Sequence, residues 1–158
     1  MVRAGIEFFE SLKLKNPTVY AVKLRLGELF LDSGDYGKGL STLRKALQPW
    51  VGQQEVQGLL GKAYLALDKP ELAFKFYRSA IDGIEAVIHE RLVSGRPIER
   101  LVSLLESFQL QLAEGLIRFG HFQRAKPVLS KLSERIPDHP KVIEMMDVAN
   151  GLKVRTIQ

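Results

Sequence analysis

The chain has no cysteine, so histidines and carboxylates are the residues left to bind a metal or move a proton. His89-Glu90 opens the HExxH pattern that puts two zinc-binding histidines one helical turn apart. The second histidine would fall at position 93, where Val93 stands. His121 follows Gly120, and His139 lies between Asp138 and Pro140, in segments that read as surface turns. Ser94-Gly95-Arg96 is turn chemistry, and the chain has no GxGxxG, phosphate-loop or GxSxG motif. Acid–base catalysis requires a carboxylate whose surroundings shift its pKa, and no Asp or Glu here is singled out by its neighbours. The residues therefore predict no catalytic group, no metal and no cofactor, and the chain is expected not to be an enzyme.

Elements positioning such residues must come from a chain of 158 amino acids, enough for one ordinary domain with a real core. Hydrophobic residues make up 46% and charged residues 26%, a globular balance that excludes global disorder. The longest stretch without a charge runs only from Ala46 to Gln54, too short to span a bilayer. Glu7 and Glu10 interrupt the N-terminal apolar residues, so no secretory or transit signal is recognised and a cytoplasmic location is expected. A net charge of +5 is carried without a long Lys/Arg run, which favours a solvated basic surface.

Self-similarity organises the chain. Leu26-Gly27 with Phe30 recurs 34 residues later as Leu60-Gly61 with Tyr64, and Gly39, Leu43 and Ala46 recur at the same offset as Ala73, Tyr77 and Ala80. A third copy comprises Leu112-Ala113, Leu116, Gly120, Ala125, Leu129, Leu132 and Pro137, displaced by 18 extra residues. Gly5, Phe9, Leu12 and Pro17 form a partial copy that precedes the first. Within a unit, apolar residues follow helical spacing on both sides of a break: Asp32-Ser33-Gly34-Asp35, Asp68-Lys69-Pro70, or Gly120-His121. Gly27, Gly61 and Ala113 would let paired helices approach closely, with Phe30, Tyr64 and Leu116 filling the space beside them. No segment alternates as a strand does.

These features resemble the tetratricopeptide repeat family over nearly the whole chain. Lys23, Gln57 and Gln109 depart from the family's early Trp, and the closing Pro is missing from the first two full copies. The resemblance implies an all-α fold, an α-α superhelix built as a solenoid of stacked antiparallel helix pairs. A four-helix bundle of regular helix lengths is the competing architecture. It needs near-parallel helices around one seam, whereas small residues at fixed early positions favour angled pairs. The expected organisation is a single domain over 1–158. Residues 1–19 would supply the second helix of a partial repeat, 20–53 a repeat, 54–105 a repeat with an extended second helix and a hairpin insertion, 106–139 a repeat, and 140–158 a capping helix. The N-terminal end implies a longer array or an end sealed by another molecule.

The insertion reads as helix, not loop. Ile81, Ile84, Ile88 and Leu92 continue the stripe of Phe74 and Tyr77, and after Ser94-Gly95-Arg96-Pro97 a facing stripe of Ile98, Leu101, Leu105, Phe108 and Leu112 returns. Val87, Val93 and Val102 fall off the stripe near a tip carrying Arg91, Arg96 and Arg100, so the hairpin is either a contact arm or an idle extension. From Lys141 to about Val154, Val142, Met145, Met146, Ala149 and Leu152 predict a final amphipathic helix, and Trp50 reads as a packing residue between repeats.

Carried over from the resembled family, the partner-facing positions on the concave side are Arg25, Glu28, Asp32, Glu55, Lys62, Gln111, Glu114 and Arg118. The Lys and Asn that grip a peptide carboxylate in some members are replaced by Leu24 and Glu28, so that clamp is absent. A protein or peptide segment is the expected partner, and the expected function is a non-catalytic binding scaffold. Two alternatives stand beside it. One is a single-stranded RNA-binding solenoid, motivated by a pI near 9.5 but opposed by the unmatched Glu28, Lys62 and Glu114 at equivalent positions. The other is self-assembly through the hairpin.

Overall fold

The structure, a computed structural model, describes residues 2–15, 20–47 and 53–152, with the side chains of 11–15 outside the description. Trp50, Pro17, Val51 and Val154, and the side chain of Leu12, therefore lie outside the described residues. All regular structure among those described is helical: α1 (Val2–Lys15), α2 (Tyr20–Asp32), α3 (Tyr36–Arg44), α4 (Gln54–Ala66), α5 (Pro70–Val93), α6 (Glu99–Arg118), α7 (Phe122–Arg135) and α8 (Pro140–Ala149). The helices pack sequentially in pairs, and the chain divides into two compact units, 1–83 and 84–158.

In the first unit α2 packs on α1 and α3, and α4 lies against both α2 and α3. The repeated small residues make this closeness feasible. A Cβ on Gly27 would sit 2.6 Å from Leu43 Cδ2, and one on Gly61 would sit 2.8 Å from Tyr77 Cδ2. Neither position has room for a methyl group. The residues that recur in register are the core itself, with Leu26, Leu43, Ala46, Leu60, Ala73, Tyr77 and Ala80 all buried. Each large aliphatic among them contributes about 1.5–3 kcal/mol by leaving water. Between successive pairs, Arg44 of α3 donates a hydrogen bond to the Tyr64 hydroxyl of α4; within the pair of α4 and α5, the Tyr64 ring stacks on Phe76 with centroids 5.4 Å apart.

One device closes most of these helices. After α2, Asp35 N–H donates to Phe30 C=O at 2.9 Å and Gly34 N–H to Leu31 C=O at 3.1 Å, with Gly34 at φ 82°. This pattern satisfies carbonyls that the helix end would leave unpaired, and it needs one left-handed residue. The same pair of bonds follows α5 around Gly95, α6 around Gly120 and α8 around Gly151. After α4 the left-handed place is taken by Asp68 at φ 51°, a residue type that tolerates it better than most. Asp35 then caps α3, its carboxylate accepting from Lys38 N–H at 3.1 Å. Pro70 starts α5 as the sequence indicates, where its missing N–H removes no helical bond.

In the second unit α7 packs on α6, and α8 packs on both. This repeats the way α4 meets α2 and α3, so α8 occupies the place of a first helix in a further pair. It buries Val142, Met145 and Ala149. The helix is shorter than its apolar pattern suggests, because the closure at Gly151 stops it and leaves Leu152 exposed beyond it. Long helices are present where the extra 18 residues fall, α5 with 24 residues and α6 with 20, about 36 and 30 Å at 1.5 Å per residue. Leu92, which periodicity assigns to the apolar stripe, is instead 60% exposed. It shares a face with Ile84 and Ile88, but it lies one residue from the end of α5.

Candidate functional site

The residues expected to face a partner fall on first helices in each unit. On α2, the Arg25 guanidinium pairs with Glu28 one turn along at 2.5 Å, and this bond, followed by the charge attraction itself, pushes the Arg25 pKa up. At the end of the same helix Asp32 accepts from Lys62 Nζ of α4 at 2.8 Å, a contact between two first helices. Glu55, half-buried in the first turn of α4, is close enough to Arg25 and Tyr20 for its charge to act on both. The Tyr20 hydroxyl is pushed above its ordinary pKa by burial first and by Glu55 second. Arg25, Glu28, Asp32, Glu55 and Lys62 thus form one mixed-charge surface across α2 and α4.

The second unit carries the other three. The Gln111 amide donates to Ser107 Oγ one turn back at 3.0 Å, and Arg118 lies over the Phe119 ring, 5.2 Å from its centroid. Glu114 accepts from Lys141 Nζ of α8 at 2.7 Å, a bond that raises the Lys141 pKa. Both units therefore tie one first helix to the next by a solvent-exposed carboxylate–lysine pair. Lys141 carries no sequence signal for this role, since its partner is 27 residues away on another helix.

Contact-arm residues are also placed. Arg91 donates to the Pro97 carbonyl at 3.1 Å and so braces the turn. Val93 is 80% exposed, Arg96 and Arg100 are exposed, and Val87 and Val102 are half-buried. His121 and His139 are less open than surface turns imply, both being half-buried, and His139 Nδ1 is buried without a hydrogen-bond partner. Among the described residues no cluster of His, Asp and Glu could hold a metal ion, and no helix is long and apolar enough to cross a membrane.

A residue that marks a departure from the family pattern has a role of its own. Gln109, at the early Trp position, is buried on α6, and its carboxamide oxygen accepts from Arg135 Nη1 of α7 at 3.0 Å.

Residues 54–82, which are α4 and the first half of α5, match the tetratricopeptide repeat family model. The chain is similar in structure to the crystal structure of YrrB, described as a TPR protein with an unusual peptide-binding site. The TM-score is 0.64 at 15% identity, over 96% of this chain and 78% of that one. The chain carries the tetratricopeptide-repeat fold. No curated protein matches its sequence. In tetratricopeptide-repeat terms, α2, α4, α6 and α8 are first helices, and the exposed carboxylate–lysine pairs join consecutive first helices within each unit.

Proposed function

We propose that this tetratricopeptide-repeat chain is a non-catalytic interaction module that holds a peptide or partner-protein segment against its first helices. The observation that carries this reading is the Asp32–Lys62 pair. Both side chains are close to half exposed and belong to different helices. Such a pair contributes about 0–1 kcal/mol, so a partner's carboxylate can take the place of Asp32 on Lys62 with little loss of stability. The Glu114–Lys141 pair offers the same exchange to a partner's cation or carboxylate. Exposed, paired charges of both signs suit recognition of a segment bearing both signs. They do not suit acid–base chemistry, which needs groups held in a site shielded from water. YrrB's description as a peptide-binding TPR protein supports the same reading.

Panning a random-peptide display library on the full chain, then measuring the selected peptide against Lys62→Glu and Arg118→Glu, tests the proposal. At least a tenfold loss of affinity is expected in Lys62→Glu, equivalent to about 1.4 kcal/mol, with the helical signal unchanged. Equal affinity for wild type and both variants would remove the first-helix surface from the account.

A further inference from the structure

Within residues 84–158, burial stops at Ile84 on α5 and resumes only at Leu105 on α6. The arm between them is not polar. Val87, Ile88, Ile98 and Leu101 are half-buried, while Leu92 and Val93 are 60% and 80% exposed. Two helices joined by a short turn can shield one seam between them, and apolar side chains off that seam stay at the surface unless another element covers them. The arm therefore holds apolar side chains that its own two helices leave partly in water.

Charge indicates what covers them. From Ala86 to Glu106 the arm carries Glu90, Glu99 and Glu106 against Arg91, Arg96 and Arg100, three of each sign. A surface that selects nucleic acid, an anionic membrane or a strongly charged peptide is dominated by one sign. A surface that meets an identical copy of itself about a twofold axis must supply both signs, because each patch is its own partner.

We propose that the arm pairs with the arm of a second copy of this chain, completing a four-helix bundle with Leu92, Val93, Ile98 and Leu101 in its seam. Glu90 and Glu99 of each copy face Arg96 and Arg100 of the other. This pairing uses none of the residues argued above for the first-helix surface, and either reading can stand without the other.

Sedimentation velocity on the full chain, over a series of concentrations, tests the pairing. Wild type is expected to reach the mass of two chains as concentration rises, and Leu92→Asp/Val93→Asp to stay a monomer with unchanged helical content. Both altered side chains are exposed, so their replacement leaves the chain's own core intact. An Arg96→Glu/Arg100→Glu variant and a Glu90→Arg/Glu99→Arg variant should each lose self-association and regain it when mixed. A wild type that stays monomeric throughout overturns the proposal. So does a Leu92→Asp/Val93→Asp variant that still dimerises, or a mixture of the charge variants that fails to associate.

Discussion

Gln109 and Arg135 link the two helices of a pair: Gln109 is 2% exposed, Arg135 lies at the surface, and the Gln109 side-chain oxygen accepts from Arg135 Nη1 at 3.0 Å. Removing the arginine takes away that oxygen's donor at a bond that is only partly buried. Arg135→Met should therefore cost about 0.5–1.5 kcal/mol in urea unfolding. Gln109→Leu should cost less than that, since it removes the need along with the bond. In the Gln109→Leu background, Arg135→Met should cost almost nothing, and a double-mutant cycle that comes out additive would show that the bond is not the reason for the cost.

Gly27 and Gly61 should resist even the smallest enlargement. Alanine is the better helix former by up to about 1 kcal/mol, yet its methyl would meet Leu43 or Tyr77 at 2.6 or 2.8 Å, and overpacking of this kind costs about 1–3 kcal/mol. The steric term wins. Gly27→Ala is expected to lower the unfolding midpoint, and to do less harm when Leu43→Ala has already emptied the space.

Gly34 and Gly120 are required for another reason. A Cβ at either would touch nothing within 4 Å, but their φ values are 82° and 77°. Alanine there should cost about 1–2 kcal/mol through backbone strain alone. That loss, unlike the one at Gly27, should be insensitive to trimming any neighbouring side chain. Thermal melts of the single and paired variants separate the two causes.

Asp35 gives the stability a pH dependence at its acid end. Its carboxyl is held below the ordinary value of 3.8 by the Lys38 ammonium bonded to it and then by the Lys38 N–H that it caps. A depressed folded-state pKa adds stability that is complete above the unfolded value and disappears as pH falls through the folded one. Wild type should therefore be more stable than Asp35→Ala at neutral pH, with the gap narrowing from about pH 4 downward. A gap that stays constant to the lowest pH would show that the cap does not depend on the charge.

The exposed pairs make the opposite prediction for stability. Lys62→Glu and Lys141→Glu should each shift unfolding by less than about 1 kcal/mol, and raising the salt concentration should shrink even that. A larger loss would mean that these pairs hold the helices together, and would weaken the case for their availability to a partner.

Several features of the candidate surface could be read before any coordinates. First-helix positions such as Arg25, Lys62 and Glu114 follow from the repeat register, and each lies on a first helix. The exposure of Val93 follows from its place off the stripe. Leu92 shows where that reasoning fails, because helical spacing identifies a shared face and not whether another helix reaches it. The register likewise marks Gln109 as a departure without showing that Arg135 answers it.

What the order of residues determined by itself is the set of helices, their breaks and their pairing. Those depend on spacing of about 3.6 residues per turn, on small residues recurring every 34, and on left-handed positions suited to glycine, all of which act within a few turns of chain. Only the tertiary structure decided which charges meet. Asp32 with Lys62, Glu114 with Lys141 and Arg135 with Gln109 lie 26 to 30 residues apart. Their contact depends on how one packed helix is set against another, a geometry fixed by the fit of buried side chains and not by any local pattern.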